Sequence, residues 1–275
     1  MYLKHKKFNS SFKEICLLFW FILKWIWLLR KELIYVPKLY GYQHIIYLVV
    51  FFALSISSLI LIKKYVKSEK TINIILKALG GALLFSILLN RFSLFYFKSN
   101  PHDPKLLLPD SYCGLTSLVL SLAVLLGKKD NYAYHFLWLI GILGGGITVF
   151  YPDFIGQDQS FFYLPTISGL LHHSITLYIC VYLIVFNFIH ITYKKWYCAL
   201  IGISFYMTYA VYLISLVGVD DALHIFTPLL SGTPLYAWFI SIVYAALYAL
   251  ILLVIELIRK HLKKKTQSDQ ELETK

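Results

Sequence analysis

The residues able to do chemistry in this chain are few, and they stand in apolar surroundings. Cys113 lies in the string LPDSYCGLTSLVLSLAVLL, near the head of an apolar run from Leu106 to Leu126. A thiol in the first turn of a helix faces unpaired backbone N–H groups, which favour the thiolate and raise its reactivity. His172 and His173 stand together in SGLLHHSITLY. A histidine within hydrogen-bond reach of a thiol is the minimum apparatus for acyl transfer through a thioester. Neighbouring helical residues point about 100° apart, so one of the two is expected to face the cysteine. Asp153 in FYPDF, and Asp220 and Asp221 in GVDDALH, are of the type that orients or charge-balances a histidine. Arg91, near the end of an apolar segment, can snorkel to the surface or grip a lipid phosphate.

Each of these residues also has a plainer reading. Cysteine is a common small apolar filler of helices. Two histidines at the head of a span fit the headgroup level, Asp153 fits a turn after Pro152, and one of Asp220 and Asp221 fits a solvated loop. Pro109 and Asp110 suit a helix start, and Asp110 opposes a thiolate unless it points away. Gly141 and Gly145 have the small-xxx-small spacing that lets membrane helices approach. That glycine run follows no strand, so it is not a phosphate loop.

The elements that must position these groups are apolar helices. The chain is 59% hydrophobic with a mean hydropathy of +0.69, which predicts an all-α polytopic membrane bundle. Seven spans are expected: Tyr42–Ile62, Ile72–Tyr96, Asp110–Gly127, His135–Phe150, Gly169–Ile191, Trp196–Val217 and Leu235–Ile258. Residues 1–38 form a basic segment whose Lys13, Lys24, Lys31 and Lys38 fall on one stripe. They read as an amphipathic helix in the interface, with an eighth span as the alternative. Residues 39–260 make the bundle, and 261–275 a polar tail of a composition that favours disorder. The first residues lack a small-residue cleavage site, so no removable signal is expected.

The formal charge of +12 sits in clusters flanking the spans, which points to topology and anionic lipids rather than nucleic acid. Lysines follow the first, third, fifth and seventh spans, so those ends and the C-terminus are expected on the cytoplasmic side of the cell membrane. Cys113, both histidines and the aspartates then share the outer side. The four cysteines, Cys16, Cys113, Cys180 and Cys198, make neither a disulfide framework nor a zinc knuckle.

Several strings agree with one family. The chain resembles the YwaF-type bacterial integral membrane proteins, whose animal relative is a transmembrane acyltransferase that remodels ether phospholipids. LPDSYC matches the leucine-proline hallmark with its cysteine at Cys113. Gly141 and Gly144 precede Pro152 and Asp153 at the family's distances. His173 matches the histidine of the next helix, with His172 as an extra, and SGTPLYAW carries the late Gly232, Pro234 and Tyr236. The likeness runs from about Tyr42 to Leu257. The chain departs from the pattern at Ser111, where the family often has histidine, and at Gly114, where it often has an acidic or amide residue. Asp220 stands where the family has asparagine.

The resemblance implies a lipid acyltransferase in which Cys113 attacks a phospholipid ester and His173 moves the proton. Asp110, Ser111, Asp153, Asp220 and Arg91 would contact or orient the substrate. The acceptor would be a lysophospholipid or another amphiphile, and neither a metal nor a soluble cofactor is required. Two alternatives stand beside it. One is a zinc hydrolase of the seven-helix ceramidase type, although the chain lacks two histidines at i, i+4 on one helix. The other is a non-catalytic permease or partner subunit.

Overall fold

The structure, a computed structural model, describes residues 41–98, 102–151 and 161–273. The N-terminal basic segment and Asp153 lie outside those residues. The described chain is all helical. Its seven main helices are α1 (Tyr42–Tyr65), α2 (Glu69–Lys98), α3 (Tyr112–Leu126), α4 (Tyr132–Phe150), α5 (Leu164–Val185), α6 (Tyr197–Tyr212) and α7 (Ala237–Glu273). A π turn, Leu213–Val217, extends α6. Six of the seven are long and apolar enough to cross a membrane, and α3 is the shorter apolar one. The expected all-α membrane bundle is therefore what the chain builds.

Several boundaries differ from expectation. The apolar run beginning at Leu106 does not become helix until Tyr112. Pro109 disfavours helix in the residue before it, and Leu108 is extended, after a 3-10 turn at Pro104–Leu107. At 15 residues α3 is about 22 Å long, short of a hydrocarbon core of about 30 Å. The fifth span starts five residues earlier than expected, at Leu164, because Pro165 suits a first helical turn. It also ends earlier, where Asn187 turns left-handed at φ 56°. The polar tail, expected to be disordered, continues α7 to Glu273.

Helix α5 lies in the middle, flanked by α2 and α4, with α3 and α1 also against it. Helices α6 and α7 join through α4 and each other. Leu83, Leu120, Leu137, Ile179 and Leu183 are fully buried between them, while Val49, Phe85, Leu216 and Ile242 face outward. Such an apolar exterior suits lipid. Hydrogen bonds between side chains tie α1 to α5, from Tyr47 to Ser174 (2.6 Å) and from Ser58 to Tyr178 (2.8 Å).

At the lysine-rich end one carboxylate ties three segments together. Asp130, itself left-handed at φ 60°, binds the Lys195 ammonium at 2.6 Å and the His135 ring at 2.7 Å. It also accepts the His190 backbone N–H at 2.8 Å. Burial pushes its pKa up, but the hydrogen bonds from Lys195, His190 and His135 outweigh burial and hold the carboxyl at about 2. Tyr248 of α7 donates to the His135 carbonyl at 2.7 Å, and Arg259 donates to the Ile191 carbonyl. The links between α3 and α4 and between α5 and α6 are thus fastened to α7.

Candidate functional site

Helix α3 begins where Ser111 caps it, its Oγ accepting the Gly114 N–H at 3.3 Å. Ser111, not Asp110, is therefore the cap. Cys113 stands in the first turn and is partly exposed. The N–H groups of Tyr112 and Cys113 have no acceptor among the described residues. Two donors at a helix start beside a thiol are the elements of an oxyanion hole.

Asp110 is turned toward Arg91 instead of the thiol. The Arg91 guanidinium lies 3.2 Å from the Asp110 carboxylate, with the Arg91 side chain 9% exposed. Of the two readings open for Arg91, snorkelling to the surface does not fit its burial, since the guanidinium turns to the half-exposed Asp110 carboxylate. Its Nε is buried with no hydrogen-bond partner among the described residues, and its Nη2 lies 3.0 Å from where a Cβ on Gly114 would sit. Glycine at 114 gives the guanidinium room beside the cysteine. A further strand of chain closes over this corner. The Leu223 N–H donates to the Asp110 carbonyl at 2.8 Å, and both Leu223 and His224 are left-handed, at φ 53° and 61°.

The other wall is α4. A Cβ on Gly144 would meet the Cys113 sulfur at 3.0 Å, and one on Gly145 would meet the His173 carbonyl at 2.9 Å. The glycine face therefore lets α4 touch both α3 and α5. The Thr148 hydroxyl, one turn further along α4, donates to the Gly144 carbonyl at 2.9 Å.

Both histidines are buried within α5, on its third turn. The sequence predicts that they open the helix at the membrane surface. In the structure they lie about 12 Å from its start at 1.5 Å per residue, because the helix begins at Leu164. The rings pack together with centroids 4.1 Å apart. His172 Nδ1 is 3.0 Å from Ser117 Oγ, and Ser117 is 2.9 Å from Thr176 Oγ1. Ser117 lies four residues after Cys113, so it shares a face of α3 with the thiol. Side chains on a helix lean toward its N-terminus, so both rings lean toward the end of the bundle that carries Cys113 and Arg91. His173 makes no hydrogen bond among the described residues.

The structure thus gathers Cys113, Asp110, Ser111, Arg91, His172 and His173 into one region of α2, α3, α4 and α5. No hydrogen bond joins the thiol directly to either ring among the described residues. Asp220 is exposed and makes no ion pair or hydrogen bond among them. Asp221 is a loop staple: its carboxylate accepts the N–H groups of Ile225 (3.0 Å), Phe226 (3.2 Å) and Thr227 (3.0 Å). Burial raises its pKa, but the Thr227 hydroxyl and these N–H groups prevail and hold it below the ordinary carboxylate value.

Sequence reasoning missed Ser117, Thr148 and Thr176. The signal was present for two of them, since Ser117 and Thr176 each follow a candidate by four residues in an apolar helix. Thr148 follows Gly144 by four and had no such marker. Among the described residues no three His, Cys, Asp or Glu side chains come together as a metal donor set, so the zinc-hydrolase alternative has no donor set to rest on there.

Comparison with known proteins gives one match. The family model described as the TMEM164 family matches residues 39–260. No curated protein and no solved structure matches the chain.

Proposed function

The chain belongs to the TMEM164 family, and from that membership and the geometry around Cys113 we propose that it moves fatty acyl chains between lipids through a thioester. The observation that carries this reading is the Ser117 hydroxyl. It holds His172 at 3.0 Å on the same face of α3 as Cys113, one turn away, and His172 in turn packs against His173. The YwaF-type likeness of the motifs supports the same chemistry.

In this reading His173, whose ring makes no hydrogen bond among the described residues, takes the thiol proton, and His172 with Ser117 positions it. The thiolate attacks an ester carbonyl of a phospholipid, and the N–H groups of Tyr112 and Cys113 stabilise the oxyanion. The carbon–oxygen bond breaks, and the departing glycerol oxygen takes the proton back from His173. A hydroxyl of a lysophospholipid then gives its proton to His173 as its oxygen attacks the thioester, which releases the thiolate. Water in place of that hydroxyl gives a lipase. In the same reading Arg91, whose Nε has no partner among the described residues, holds the substrate phosphate. The lysine-rich end is assigned to the cytoplasmic side of the cell membrane.

The test is acyl occupancy of Cys113. Full-length protein from membranes fed an alkyne fatty acid is expected to carry a hydroxylamine-sensitive label on the Cys113 peptide. The label should vanish in Cys113→Ser and fail to form or fail to turn over in His173→Ala. An unlabelled wild type, with an unchanged lipid profile in a Cys113→Ser strain, would overturn the reading and favour the permease or partner-subunit role.

A further inference from the structure

We infer that the lysine-rich end holds a second lipid site, a groove that takes the phosphate of an anionic phospholipid headgroup. The groove is about 480 Å³, between the start of α2, the end of α3 and the turn that follows α5. It lies at the end of the bundle opposite the Cys113 helix start, and nothing in the acyl-transfer chemistry uses it.

The α2 wall carries Lys70, Asn73 and Lys77, spaced i, i+3 and i+7 so that they share one helix face. Lys128 and Lys129, just past the end of α3, complete the cationic lining. Against these four ammonium groups stands one carboxylate, Glu69, and Lys129 lies 3.8 Å from it. Lys70, Lys77 and Lys128 make no ion pair among the described residues. The groove therefore carries uncompensated positive charge.

Lys77 is the informative one. It sits about 12 Å along α2 from Glu69 at 1.5 Å per residue, well into a helix long and apolar enough to span. The Lys77 side chain is exposed, so from that depth the ammonium either snorkels to the membrane face or meets an anion in the groove. The rest of the lining is apolar, from Ile72, Phe186 and Phe188. A phospholipid supplies both parts: its phosphate bridges the ammonium groups, and its glycerol and upper acyl carbons lie along the aromatic wall. Basic pockets between helices at a membrane face bind lipid headgroups in this way.

The experiment is native mass spectrometry of the full-length protein released from phosphatidylcholine nanodiscs that contain a minority of phosphatidylglycerol. Wild type is expected to retain phosphatidylglycerol over phosphatidylcholine. The Lys77→Gln/Lys128→Gln double variant should lose that retention several-fold. Lys63→Gln/Lys64→Gln, which removes two basic residues from the last turn of α1, should not. Equal loss in the two variants, or equal retention in both, would show generic attraction to a basic surface and overturn the groove. A parallel sample in pure phosphatidylcholine with millimolar inorganic phosphate separates the sources. Phosphate that binds there and prevents later phosphatidylglycerol retention only in proteins with an intact groove supports a phosphate-reading site. Phosphate binding without any lipid retention overturns the lipid as its occupant.

Discussion

At the residue scale the decisive contact is between Arg91 and its surroundings. A guanidinium held by one carboxylate at 3.2 Å, with no partner for Nε among the described residues, is an incompletely satisfied buried cation. Removing the carboxylate leaves it less satisfied still, so Asp110→Asn is expected to destabilise the protein by about 1–3 kcal/mol. Thermal unfolding in detergent reads this directly, and Arg91→Met in the same background should recover part of the loss. Gly114→Ala makes a narrower test. Its Cβ would meet Arg91 Nη2 at 3.0 Å and Pro109 Cβ and Ser111 Oγ at 3.1 Å. These neighbours can give by a few tenths of an ångström, so the variant should fold while Cys113 acylation slows. An unchanged acylation rate would detach Arg91 from the chemistry.

At the element scale the glycine face of α4 does the positioning. Two glycines on this helix, one residue apart in sequence, should respond in opposite ways. Gly145→Ala puts a Cβ 2.9 Å from the His173 backbone carbonyl. Backbone cannot swing aside, so α4 and α5 must separate, at a cost of about 1–3 kcal/mol. Gly146→Ala meets nothing within 4 Å and should be neutral or stabilising by up to about 1 kcal/mol, since alanine favours helix. Melting temperatures of the two variants in one detergent check the contrast. If both behave alike, the close approach of α4 to α5 does not determine their packing.

At the scale of the whole molecule, the lysine-rich end is fastened by charge. Asp130 is held at about 2, below the ordinary value of 3.8, so its bonds stabilise the fold fully above the ordinary value. That contribution is lost as pH falls through about 2. Asp130→Asn should therefore melt lower than wild type at neutral pH, and the gap should close under acid. A gap that persists under acid would mean that the charge is not what ties the links to α7. The proposed sidedness is tested by impermeant maleimide on intact cells, in a background without other accessible cysteines. Asp220→Cys is expected to label from outside, and Lys129→Cys only after permeabilisation.

The sequence by itself determined the class of fold and marked the candidate polar groups. Long apolar runs between lysine clusters can satisfy their backbone in lipid only as helices, so the helical class of the described residues follows from the position of those runs. The LPDSYC and LLHHS strings mark the cysteine and the histidines for the same reason, as polar groups with no business in lipid unless used or paired. Helix ends were read less well, because Pro109 holds Leu108 extended and Pro165 suits a first helical turn. What only tertiary structure decided is which polar groups meet. Whether Arg91 turns to water or to Asp110 depends on α2 lying beside the start of α3. Whether His172 finds Ser117 depends on how α3 and α5 are rotated about their axes. The Asp130 staple joins residues 60 and 65 positions apart. Helical periodicity fixes which residues share a face, but not which face meets which neighbour, and that rests on close contacts such as Gly145 against the His173 carbonyl.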